Sequence, residues 1–181
     1  MDSHENEKYI FLLGGYDLEM QEIKNILEKH ELEYYDQKLS WGAKLSAYQE
    51  IINDTADDKI IVGIELIADI KAPANYIEID HHNQNSDKSS SLEQVAALVG
   101  FKLNRYQRLV AANDKGYIPA LEKAGATKEE IDKIRRQDRK AQGVSEVDEQ
   151  LAQESIAENL KKRKGITIVD ALTDKFSPIC D

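Results

Sequence analysis

The chain has 181 residues, of which 41% are hydrophobic and 32% charged, and its formal net charge is −10. That length suits one α/β domain with a real core and is cramped for two. The acidic balance argues against broad, non-specific duplex binding, which draws on Lys and Arg, but it admits a small phosphate ligand whose charge a metal ion offsets. The single cysteine, Cys180, excludes an internal disulfide and a thiolate zinc cluster. A metal here would rest on oxygen and imidazole ligands, which suit Mn, Mg, Fe or Zn. No apolar stretch nears the roughly 20 residues that cross a bilayer, and the polar start carries no signal-peptide core. We expect a cytoplasmic protein with no membrane contact.

Residues 1–7 read as a loose tail. Residues 8–13, K-Y-I-F-L-L, form a continuous apolar run of the length expected for a strand buried on both faces. Gly14 and Gly15 end it, and Met20, Ile23, Ile26 and Leu27 then fall at helical spacing over 20–30. Strand, glycine turn and helix open a βαβ unit and put Asp17 and Glu19 at the carboxyl end of the first strand. Asp17 reads equally well as the helix N-cap, with Glu19 as a first-turn acid favouring the dipole. The double glycine is half of a dinucleotide fingerprint, but the G-x-G-x-x-G spacing is absent, so nucleotide binding by that route carries little weight.

Residues 33–36 fit a second strand, followed by a loop with Trp41 and Gly42. Residues 43–52 have helical character, with Leu45, Tyr48 and Ile52 on one face. Residues 59–64, K-I-I-V-G-I, fit a third buried strand, and Glu65 stands at its end. Pro73 marks the turn before a fourth strand at 75–79. That strand lies within Y-I-E-I-D-H-H-N and delivers Asp80, His81 and His82 together. Adjacent carboxylate and imidazoles cannot all be buried without a compensating charge or metal. In a parallel sheet the carboxyl ends share one edge, so Asp17 with Glu19, Glu65, and Asp80 with His81 and His82 would converge there. The competing reading makes Asp80 a cap and leaves the histidines in a wet loop.

Residues 84–90 form a polar loop, and Ser90 with Glu93 have capping-box spacing ahead of a helix at 92–99. A helix at 103–112, a break over 113–116 containing Asp114, and a helix at 117–123 around Pro119 follow. Thr127 and Glu130 open the next helix, which carries Ile131, Ile134 and a basic face of Arg135, Arg136, Arg139 and Lys140. That face reads first as a solvated surface paired with local acids, and second as a phosphate or nucleic-acid contact. Residues 144–162 fit a helix with Val147, Leu151, Ile156 and Leu160 as its apolar stripe. Residues 166–171, I-T-I-V-D-A, fit a fifth strand. The ending F-S-P-I-C-D suggests a sequence cut short, or a strand that another segment extends. We expect an α/β fold with a mostly parallel five-stranded sheet flanked by helices and a helical C-terminal half. It would form one domain over 1–181, or the N-terminal part of a longer protein.

An acid-bearing first strand end, an acid after the third strand, D-H-H after the fourth, and Asp114 in A-A-N-D-K-G resemble the DHH phosphoesterase superfamily over about 8–114. The resemblance implies Asp17, Glu19, Glu65, His81 and Asp114 as metal ligands, His82 as the phosphate-contacting or acid residue, and Asp80 as a group orienting the site from behind. It implies one or two Mn or Mg ions. Two departures stand out. Leu13 occupies the place of the first-motif histidine, with Glu19 and Glu65 where the family carries aspartates, and the family's second, substrate-gripping domain has no counterpart in these residues. The expected function is a metal-dependent phosphoesterase acting on a small phosphate ester, nucleotide or short single-stranded oligonucleotide. The alternative is a degenerate, non-catalytic module that binds phosphate or a partner. A homo-oligomer is compatible with either.

Overall fold

In the computed structural model residues 8–181 are described, and the tail expected at 1–7 lies outside them. Strand β1 (Tyr9–Leu13) sets the architecture, because Ile10, Phe11, Leu12 and Leu13 are all at most 4% exposed. Successive strand side chains point to opposite faces, so a strand buried throughout needs cover on both. Phe11 and Leu13 enter the larger core with Ile23, Ile26 and Leu27 of helix α1 (Leu18–Lys29), while Ile10 and Leu12 enter a smaller core with Leu45 and Tyr48.

Strands β2 (Glu33–Asp36), β3 (Ile60–Ile64) and β4 (Tyr76–Ile79) join β1 in a parallel sheet of order β2-β1-β3-β4. The chain steps outward from β1 to β2 and then returns to the other side of β1 for β3. Its direction reverses between β1 and β3, and open α/β sheets bind ligands beyond the carboxyl ends at such a point. A 3-10 turn at Leu45–Tyr48 and helix α2 (Gln49–Asp54) cover one face. Helices α1, α3 (Ser91–Leu98), α4 (Arg105–Lys123) and α5 (Lys128–Ala141) build the other. Ser90, Asn104 and Thr127 each close a capping box, which fixes where α3, α4 and α5 begin. Helix α4 is kinked at Gly116 and Tyr117. Pro119, lacking an N–H and crowding the carbonyl of Lys115, accounts for the break.

The C-terminal part departs from expectation in two ways. Helix α6 (Glu146–Asn159) buries Ala152 and Ser155, whereas Val147 is 65% and Ile156 37% exposed, so the expected stripe is not its packing face. Leu160 has left the helix and starts strand β5 (Leu160–Arg163), which pairs antiparallel with β6 (Ile166–Val169). The parallel sheet therefore has four strands rather than five. Lys164 and Gly165 both have positive φ, the geometry of a two-residue hairpin turn. That turn pairs β6 with its immediate neighbour, while a place in the parallel sheet would require a long crossover. A short helix, α7 (Ser177–Cys180), follows. Among the described residues no helix is long and apolar enough to cross a membrane.

The basic face of α5 also divides. Arg136 is solvated and pairs with Glu146 at 2.5 Å, but Arg135 and Arg139 are buried. Arg135 donates to Asn113 at 3.0 Å, Asp138 at 2.9 Å and both carboxylate oxygens of Asp181, and Arg139 is held bidentately by Glu149 and reaches Asp181. Buried guanidinium groups need such fully paired surroundings, and both are already committed to protein acids.

Candidate metal centre

The ends of β1 and β3 meet so closely that only glycine fits between them. A Cβ on Gly14 would lie 2.3 Å from the Glu65 carbonyl oxygen and 2.4 Å from that of Ile64. These are backbone atoms and cannot rotate away, so Gly14→Ala is expected to cost about 1–3 kcal/mol, as overpacking does. Thermal unfolding should show a Tm several degrees lower, and an unchanged Tm would contradict the close approach. Glu65 follows β3 at φ 53, in the left-handed region that a non-glycine residue enters at a cost of about 1–3 kcal/mol. Its N–H donates to the Ile79 carbonyl at 2.8 Å, tying the ends of β3 and β4 together.

Around this rim the side chains converge. His81 Nε2 lies 2.5 Å from Asp114 Oδ2, 3.4 Å from Glu19 Oε2 and 3.6 Å from Glu65 Oε1, and His82 Nε2 lies 3.6 Å from the same Glu65 oxygen. Glu65, His81, His82 and Asp114 each offer one ligand atom, all within 4.8 Å of one another. His81 Nε2 and Asp114 Oδ2, 2.5 Å apart, face each other as an imidazole–carboxylate pair. These two atoms and Glu19 Oε2 are buried with no hydrogen-bond partner among the described residues. Buried polar atoms brought together in this way could hold a cation, since oxygen and imidazole ligands suit hard or borderline ions.

In comparisons with known proteins, no family model, no curated protein and no solved structure matches the chain.

The remaining acids have divided duties. Glu19 spends Oε1 on the Leu92 N–H of α3 at 3.1 Å, which leaves Oε2 for His81. Asp17 is the N-cap of α1, its Oδ1 accepting the Met20 N–H at 2.8 Å, and it lies beside the four-residue group rather than within it. Asp80 accepts the His82 N–H and an Asn85 amide proton, each at 3.0 Å. Its carboxylate thus folds the turn that presents the two imidazoles, but it caps no helix, because the N-cap of the 3-10 turn at Asn83–Asn85 is His82, without a side-chain cap bond, and His81 is buried rather than in a wet loop. Leu13, where the resemblance implies an imidazole, is 1% exposed in the apolar core.

Charge crowding without a cation shifts these groups strongly. Burial, with Glu65 nearby, pushes Asp17 up to about 7. Burial raises Glu19 to about 8 despite its contact with His81. Burial alone would lower His81, but Asp114, Glu19 and Glu65 outweigh it and hold the imidazole at about 12. Burial opposes ionisation of Glu65, yet His81 and His82 pull it down to about 2. His82 is raised, first by its contact with Glu65.

Two neighbours escape the sequence reading. The Trp41 indole lies 5.3 Å from the His82 ring, at the mouth of a cleft of about 530 Å³ that borders Glu65 and His82. Lys115, next to Asp114, donates its Nζ to the carbonyls of Ser86 at 2.8 Å and of Lys88, pinning the 84–90 loop to α4. Hydrophobic periodicity marks neither, because an aromatic in a polar loop and a lysine after an acid are common on any surface.

Proposed function

We propose that the chain is a metal-dependent phosphoesterase of the DHH type, acting on a small phosphate ester, nucleotide or short single-stranded oligonucleotide. The observation that carries it is the set of buried, unpartnered atoms of Glu19, His81 and Asp114 facing one point beside Glu65. Those four residues would hold one Mn or Mg ion, an all-oxygen-and-imidazole set that suits hard or borderline cations. When bound, the ion supplies positive charge to phosphoryl oxygens and acidity to a coordinated water. Asp17 adds negative charge beside the cation and keeps the start of α1 in place. His82, raised by Glu65 and with 27% of its side chain exposed, faces the cleft as the group that contacts a phosphate oxygen or protonates a leaving group. Asp80 orients His82 through the backbone.

The buried Leu13 favours a second reading, in which an incomplete ligand set binds a phosphate or a partner without turnover. Elemental analysis and hydrolysis of a short oligonucleotide, with Mn and with chelator, separate the two. The phosphoesterase reading expects bound Mn and Mn-dependent cleavage, and His82→Gln should keep the metal while losing about 10²- to 10⁴-fold in kcat. Bound Mn without cleavage supports the module, and no Mn at all removes the metal centre.

A further inference from the structure

The cleft beside the cluster is larger than a phosphate group requires, and part of its lining is apolar. At about 530 Å³ it falls within the roughly 300–1,000 Å³ range of small-molecule sites. Its lining combines Gly42, Leu66, Ile67 and Ala68 with polar residues, and Trp41, 76% exposed, borders it. A single exposed apolar side chain is ordinary. Here, however, the exposed side chain is the largest aromatic available, its ring is tilted 40° against the His82 ring at 5.3 Å, and Glu65 and His82 of the cluster line the same cleft. The lining also includes the exposed Glu78, whose carboxylate can only accept hydrogen bonds.

We propose that this cleft is a nucleobase subsite: Trp41 stacks on the base of a nucleotide whose phosphate lies at His82. The chemistry selects the class. A flat π-system gains most from stacking on Trp41, whereas an inorganic polyphosphate has no apolar face and the ribose of a sugar phosphate offers only a small C–H face. Glu78 favours a base with an exocyclic amine, such as adenine, and repels a second phosphate. The substrate is then a nucleoside phosphate ester or a short oligonucleotide end. The phosphate half of this assignment rests on the phosphoesterase reading; the base half does not.

Trp41 is the only tryptophan of the chain, so its fluorescence reads the subsite directly. Titration of the full chain with AMP, in the presence of Mn, is expected to quench it, and ribose 5-phosphate is not. Calorimetry should find AMP bound at least about fivefold more tightly than ribose 5-phosphate, the lower end of base–aromatic stacking. In Trp41→Ala that ratio should fall toward one, with Trp41→Phe restoring most of it. Adenosine with chelator present separates the halves, since quenching there supports the subsite even if Mn-dependent hydrolysis fails. Equal affinity for AMP and ribose 5-phosphate in the natural chain, or an unchanged ratio in Trp41→Ala, overturns the proposal. So does the absence of quenching by both AMP and adenosine.

Discussion

His81→Ala is expected to empty the proposed centre, with Mn content falling to background in elemental analysis and Mn-dependent hydrolysis lost with it. The imidazole is the hub of the cluster: its Nε2 is within 3.6 Å of Asp114, Glu19 and Glu65. Changes one shell further out already cost about 10- to 100-fold in metal affinity or activity, so removal of the hub should exceed that range. Asp114→Ala should do the same from the α4 side. The fold is expected to survive in both, because the large apolar core does not include either residue. Circular dichroism matching the natural chain would confirm that loss of metal is local. Full Mn occupancy and unaltered hydrolysis in both variants would end the assignment.

Metal-free protein is expected to be less stable at pH 8 than at pH 5, and Mn is expected to narrow that difference. Asp17 at about 7 and Glu19 at about 8 are both raised above their ordinary 3.8 and 4.5. A carboxyl raised in the folded state loses stability as pH climbs from its unfolded value through its folded one, here from about 4 to about 8. The loss is on the order of a few kcal/mol, since each pKa unit is worth about 1.4 kcal/mol. His81, held at about 12, contributes fully below 6.5 and less as pH rises beyond it, in the same direction. Glu65, lowered to about 2, contributes above 4.5 and fails only as pH falls toward 2, so the metal-free optimum sits near pH 5. A cation bound to the folded state displaces the proton of His81 and those of the raised acids, so its affinity rises with pH. The increase in Tm on adding Mn should therefore be larger at pH 8 than at pH 5. A metal-free Tm that rises from pH 5 to pH 8 would show that the acids are not crowded as their contacts indicate.

Much of the framework could be read from residue patterns, for a physical reason. The runs at 8–13 and 59–64 are apolar without alternation, which only a doubly covered strand tolerates, and β1 and β3 lie there. Capping boxes at Ser90 and Thr127 are local and depend on nothing distant. The gathering of Glu65 and His81 at one rim follows from parallel topology, which puts strand ends on one edge, whereas Asp114 reaches that rim from helix α4 and topology alone does not place it. What escaped depends on packing or on pairing between neighbours. Whether 166–169 joins the main sheet or turns back on 160–163 is decided by the left-handed pair Lys164 and Gly165, and a lysine before a glycine does not announce that geometry. The α6 stripe failed because small residues, Ala152 and Ser155, make its buried contact. Ser155 Oγ accepts the Leu172 N–H at 2.9 Å, a tie that no hydrophobic period encodes. The burial of Arg135 and Arg139 was equally hidden, since Asp181, their shared partner, lies more than forty positions away.

Asp17 starts a helix with one oxygen while its charge presses on Glu65. The two demands can be pulled apart by chemistry, because asparagine caps a helix nearly as well as aspartate and carries no charge. A relative without the proposed activity could not exchange this aspartate for alanine without weakening the start of α1, yet it would be free to adopt asparagine. Of all the rim positions, this is the one where an acid retained through evolution would be the poorest witness to activity, and an amide the most telling sign of its loss.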